Sequence, residues 1–100
     1  MNDGKMSKTT INYTNEKFLI TNKPVMDLVM DVLQILNKIN KLTIKGKGEL
    51  CPTTVSVANV ITQNMLKGYS KTEKISVDSE TSDDGRLVST IEIIITKTSS

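Results

Sequence analysis

The stretch PVMDLVMDVLQILNK, residues 24–38, decides how this chain folds. Val25, Leu28, Val29, Val32, Leu36 and Ile39 recur at the three- and four-residue spacing of a single helix face, and Met26, Leu33 and Ile35 widen that face. Pro24 stands where the helix would begin; its missing N–H costs nothing in a first turn and its fixed φ suits the position. The spacing predicts a helix over Pro24 to Lys38. On its N-terminal side, Lys17 to Thr21 (KFLIT) is a short apolar run suited to a buried strand. On its C-terminal side, Leu42 to Gly46 (LTIKG) is partly β-branched and closed by glycine, which predicts a second strand.

The remainder extends this pattern. Pro52 marks a second helix start, with Val55, Ala58, Ile61 or Thr62, and Met65 on one face, an end near Leu66 and Gly68 as the stop. Lys74 to Glu80 alternates apolar and polar residues, Asp84-Gly85 is a hairpin turn signal, and Val88 to Lys97 returns as a strand. In that last strand Ile91, Ile93 and Ile95 share one face, and Ile94 adds an apolar residue to the other, so burial on both sides is expected. The order βαβαββ, with a right-handed crossover in its first unit, describes an α/β two-layer sandwich. Residues 16–98 are expected to form this one domain, and residues 1–15, polar and without period, a flexible tail.

Composition narrows the chemistry. The chain has 100 residues, 37% hydrophobic but only 3% aromatic, so aliphatic side chains must fill one modest core. With no histidine and a single cysteine, Cys51, it lacks the base that usually activates a serine or cysteine nucleophile, and it lacks the ligands of a zinc site. No cofactor or metal is expected. No apolar stretch is long enough for a membrane helix, so no membrane partner is expected either.

Charge is distributed unevenly. The formal net charge is +2, but from Lys17 to Lys47 six lysines (Lys17, Lys23, Lys38, Lys41, Lys45, Lys47) face only Asp27 and Asp31, a net of +4. From Glu73 to Glu92, six acids (Glu73, Asp78, Glu80, Asp83, Asp84, Glu92) face Lys74 and Arg86, a net of −4. This asymmetry suggests a polyanionic partner for one face of the molecule.

Three segments are candidates for that face. Lys45-Gly46-Lys47-Gly48 reads as a basic loop whose glycines admit a phosphate and whose lysines neutralise it, with Lys38 and Lys41 close in sequence. A solvated turn is its plainer reading, and the spacing is not that of a P-loop. Asn22-Lys23-Pro24 places a lysine before a helix N-terminus, an anion site or simply a hydrated charge at a strand–helix turn. Arg86 beside the hairpin turn either enters a minor groove or pairs locally with Asp83 or Asp84. Asp83-Asp84 reads as a solvated turn, Cys51 as a partly buried residue near a helix cap, and Met26, Met30 and Met65 as packing residues.

Several phrases resemble the Alba family of archaeal chromatin and eukaryotic RNA-associated proteins. Lys23-Pro24-Val25-Met26 matches the family's KPVM, Val32-Leu33 and Leu36-Asn37 its first helix, and Thr43 to Gly48 is similar to its IKARG loop. Asp84-Gly85-Arg86 and Val88-Ser89-Thr90-Ile91-Glu92-Ile93 resemble its hairpin and final strand, and the similarity runs from about Lys17 to Lys97. The resemblance implies an Alba-like βαβαββ domain, similar to the C-terminal domain of a bacterial translation initiation factor. It also implies dimers with paired hairpin arms, binding to double-stranded DNA and RNA with little sequence preference. The resemblance places Lys23 and the loop Lys45, Gly46, Lys47 and Gly48 on the backbone and suggests acetylation of Lys23 as a switch; Asn22, Lys41 and Arg86 complete the candidate nucleic-acid-binding residues. Here Asn22 replaces the first of two lysines, Glu49 a second arginine, Pro52-Thr53 a Ser-Lys pair and Met65 an aromatic, while the hairpin is short and acidic. These departures imply weaker affinity and more dependence on Lys23, Lys45 and Lys47.

The expected function is therefore low-specificity DNA and RNA binding in chromatin packaging or transcript and translation control, in nucleus and cytoplasm, by a homodimer or by a heterodimer with another Alba-domain protein. A heterodimeric ribonucleoprotein subunit of the RNase P or MRP type is the alternative. The one enzymatic chemistry this inventory permits is a lysine Schiff base at an abasic sugar.

Overall fold

The computed structural model describes residues 16–98; the expected tail, residues 1–15, lies outside them. The elements run β1 (Lys17–Leu19), α1 (Val25–Leu36), β2 (Lys41–Lys47), a 3₁₀ turn (Gly48–Leu50), α2 (Cys51–Val60), a π turn (Ile61–Met65), β3 (Ser70–Thr81) and β4 (Leu87–Lys97). This is the βαβαββ order, with the strands in one sheet ordered β1-β2-β4-β3. β1 lies parallel to β2, and the other two pairings are antiparallel. Both helices pack on one face, which makes two layers.

The core lies between those layers. Leu42 and Ile44 of β2 stand opposite Ile95 and Ile93 of β4, and Leu28, Val29, Val32 and Leu36 of α1 close over them. From α2 and the π turn come Val57, Ala58 and Ile61. Each fully buried aliphatic side chain contributes about 1.5–3 kcal/mol relative to exposure. The alternation along β2 sends Lys41, Thr43, Lys45 and Lys47 to the opposite, helix-free face.

Several expectations need correction. β1 is a three-residue edge strand, not a buried one: Phe18 is half-buried, Leu19 is 58% exposed, and only the next residue, Ile20, is buried. Met26 does not widen the buried face of α1, being 51% exposed. On α2 the buried face runs through Thr54, Val57, Ala58, Ile61 and Thr62, and both Val55 and Met65 are exposed. Ala58, Ile61 and Thr62 lie on the expected face, but Thr54 and Val57 stand there in place of Val55 and Met65. Each hydroxyl donates to the carbonyl four residues back, Thr54 to Leu50 and Thr62 to Ala58, both at 2.9 Å, so burial leaves neither group unsatisfied. Ile94 is only half-buried, since the face it occupies carries no second layer. Finally, β3 begins at Ser70, four residues earlier than the alternation suggests, because an irregularity between Thr72 and Lys74 breaks the period.

Candidate nucleic-acid interface

The topology gathers most of the candidate residues at one end of the sheet. β1 and β2 are parallel, and the Ile20 N–H donates to the Lys45 carbonyl at 2.8 Å, so the chain leaves β1 at the end where β2 reaches Lys47. Asn22 and Lys23 therefore lie at the same end as Lys45, Lys47 and Gly48. The hairpin points the same way: Lys47 pairs with Thr90, and β4 continues past it to Leu87 and the turn that carries Arg86. Lys41 is left apart, at the start of β2 opposite Thr96.

The Lys45–Gly48 segment is not the loop expected from its glycines. Lys45, Gly46 and Lys47 belong to β2, and only Gly48 has left the strand, at φ +57°, to open the 3₁₀ turn. Gly46 is buried, and its small size serves packing. A Cβ there would lie 1.9 Å from Thr54 Oγ1 and 2.9 Å from the Leu50 carbonyl oxygen, so only glycine lets the start of α2 approach the strand this closely.

The lysines are not free. Lys17 pairs with Glu92 at 3.1 Å, Lys45 with Glu92 at 3.8 Å and with Glu80 at 2.8 Å, and Lys47 with Glu80 at 3.2 Å. Lys17–Glu92–Lys45–Glu80–Lys47 is thus an unbroken chain of alternating sign across all four strands, three ammonium groups against two carboxylates. The Lys45 side chain is only 16% exposed and the Lys47 side chain 53%. The hydrogen bond to Glu80 raises the Lys45 ammonium above its ordinary value, and the same contact, with that of Lys47, holds the Glu80 carboxyl below the usual carboxylate range. Lys41 pairs with Glu73 at 3.6 Å.

The charge segregation of the sequence therefore does not persist in space. The antiparallel pairing of β2 with β4, and of β4 with β3, folds the acidic segment onto the basic one. Glu80 and Glu92 are the residues that sequence reasoning missed. The register sets Lys45 opposite Glu92, and that juxtaposition is visible only once the strands are paired.

Lys23 turns back along α1, its ammonium donating to the Asp31 carboxylate; this bond raises its pKa, and the nearby charge of Asp27 adds to the effect. Asn22 is exposed before the first helical turn. Arg86 adopts the local pairing, its Nε donating to Asp84 Oδ2 at 3.0 Å. The turn is closed by the Ser82 N–H to the Arg86 carbonyl at 2.8 Å and by Gly85 at φ +85°.

A second surface lies along the hairpin. Ile75, Val77 and Leu87 are 55%, 72% and 75% exposed. Their register partners Ile93, Ile91 and Thr81 place all three on the helix-bearing face of the sheet, in the part the helices do not cover.

Four strands in this order with two helices on one face is the arrangement of Alba structures. A sequence model of the Alba family matches residues 16–79. The chain belongs to the Alba family. Its structure is similar to that of Alba from Thermoplasma volcanium, with a TM-score of 0.72 and 30% sequence identity over 82% of this chain and 100% of that one. It is also similar to the crystal structure of ALBA1 from Trypanosoma brucei, with a TM-score of 0.69 and 18% identity over 83% of this chain and 69% of that one, a likeness of fold.

Proposed function

We propose that this chain binds double-stranded DNA and RNA as a dimer, with little sequence preference, through lysine–phosphate contacts at the end of the sheet where Lys23, Lys45 and Lys47 lie. Family membership supports the class of ligand. The observation that carries the reading is the row of ammonium groups, Lys17, Lys45 and Lys47, on the helix-free face, with the Asn22–Lys23 turn beside it. Asn22, Gly48 and Arg86 border that end, and Lys41 makes a peripheral contact. Phosphate contacts position a protein without reading sequence, which fits a site built of lysines. Chromatin packaging or transcript and translation control, in nucleus and cytoplasm, is the setting such binding serves, with acetylation of Lys23 removing one of its charges.

The uncovered apolar residues of the hairpin support the dimer. Ile75 and Val77, and Leu87 beyond the Ser79–Ser89 pair, expose apolar side chains along one face of the hairpin, as a protein–protein contact requires. A second copy, or another Alba-domain protein, would cover it and set two basic ends side by side.

The test is a salt titration of a fluorescent DNA duplex and an RNA hairpin against wild type and Lys23→Ala. Wild-type affinity should fall linearly in log–log form as salt rises, and loss of one phosphate contact should flatten the slope by about 0.9 for DNA. No binding to either nucleic acid at low salt would overturn the reading.

The acidic pairing of the site favours a second reading, a ribonucleoprotein subunit that relies on a partner for part of its RNA contact. Native mass measurement of the complex isolated from cells separates the two, since an obligate heterodimer carrying a fixed RNA belongs to this reading alone.

A further inference from the structure

We propose that Glu80 acts as an internal phosphate mimic that sets the affinity of the site: it holds Lys45 and Lys47 in ion pairs that an incoming nucleic-acid backbone has to displace. The inference rests on the nucleic-acid reading above and identifies the residue that governs how tightly that site binds. Glu80 reaches both lysines, Lys45 at 2.8 Å through one carboxylate oxygen and Lys47 at 3.2 Å through the other. It comes from β3, two strands away from β2 in the sheet, so the pairing is a product of the fold and not of sequence proximity. Lys47 has no other acidic partner among the described residues, whereas Lys45 also has Glu92 at 3.8 Å.

A carboxylate and a phosphate oxygen compete for the same ammonium donors, and both make charge-assisted hydrogen bonds. While Glu80 holds the lysines, each new phosphate contact is offset by a broken ion pair. The repulsion between Glu80 and the approaching phosphate adds to this cost. Fewer phosphates are then neutralised on binding, fewer counterions leave the nucleic acid, and the salt dependence is shallower than the number of lysines implies.

Glu80→Gln keeps the shape of an exposed side chain and removes its charge. Asp83→Asn changes net charge equally but touches a residue that makes no ion pair with any described residue. Both are compared with wild type on a DNA duplex across a salt series, and Glu80→Gln is repeated in a Lys47→Ala background. Glu80→Gln should tighten binding several-fold at low salt and steepen the slope by about 0.9, the value for one added phosphate contact. Asp83→Asn should do neither, and most of the gain should vanish when Lys47 is absent. If wild type binds but Glu80→Gln matches wild type or Asp83→Asn, or if the gain survives loss of Lys47, the mimicry is wrong and the nucleic-acid reading stands. If no variant binds at low salt, both fall together.

Discussion

Gly46 and Thr54 lie so close that the glycine has no room for a methyl group: its Cβ would fall 1.9 Å from the threonine hydroxyl oxygen. That hydroxyl is itself fixed, donating to the Leu50 carbonyl at 2.9 Å, so the contact locks the start of α2 onto β2. The lysines on either side of Gly46 are thereby directed to the other face of the sheet.

Gly46→Ala should cost about 1–3 kcal/mol, the usual penalty of overpacking. Thr54→Ala should relieve only part of it, because the Leu50 carbonyl oxygen would still lie 2.9 Å from the new Cβ. Chemical denaturation of the two single variants and the double variant checks this. A double variant whose loss equals the sum of the two would contradict the contact.

The hairpin patch makes its own prediction. Val77→Asp and Leu87→Asp place a charge where side chains are 72% and 75% exposed in the isolated chain, so the fold should survive either change. Sedimentation should show dimers giving way to monomers, with a weaker grip on DNA, since two basic ends no longer act together. Variants as dimeric as wild type would move the interface elsewhere.

Within the site, position decides rank. Lys47→Ala should weaken DNA binding more than Lys41→Ala, because Lys41 sits at the far end of β2 against Glu73. Lys23→Gln, which imitates acetylation, should weaken binding and flatten the salt slope by about 0.9. Unchanged binding would remove Lys23 from the interface and the modification with it.

The pH dependence follows from the ion pairs. Glu73 accepts from the Thr96 hydroxyl beside Lys41, Glu80 from Lys45 and Lys47, and Asp84 from Ser82 and Arg86, and each carboxyl is held below its ordinary range. Such groups contribute stability that is present above the unfolded value, about 3.9–4.3, and is lost as pH falls through the lower folded value. Lys23, bonded to Asp31, and Lys45, bonded to Glu80, lie above their ordinary value. Their contribution is complete below about 10.4 and is lost as pH rises through the folded value. With no histidine in the chain, denaturation midpoints should be level between about pH 5.5 and 7 and decline on the acid side below about pH 4. Glu80→Gln should shrink that acid decline.

The helix over residues 24–38 and the hairpin at Asp84-Gly85 are legible from local signals, periodicity in one case and turn chemistry in the other. The observed bounds of Val25–Leu36 and the closed turn agree with them. What local signals miss is set by pairing across the sheet. Gly46 reads as part of a basic loop until Thr54 is seen against it, and nothing local marks Thr54 as buried until its hydroxyl is seen bonded to the Leu50 carbonyl. The lysines were visible one by one, whereas the glutamates that hold them come from strands placed by long-range register.

The shortness of β1 bears on how the molecule opens. Three residue pairs and two flanking bonds, the Ile20 N–H to the Lys45 carbonyl and the Thr43 N–H to the Glu16 carbonyl, hold it to β2, on the sheet's edge. The two long strands of the hairpin, by contrast, share eleven register pairs. Local unfolding begins where the fewest buried contacts and backbone bonds must break. Amide exchange should therefore reach β1 long before β4, and each such opening parts Lys17 from Glu92 while Lys45 and Lys47 stay fixed on β2 and Lys23 stays bonded to α1. One ammonium group of the basic row, that of Lys17, is carried by the least secure strand of the domain.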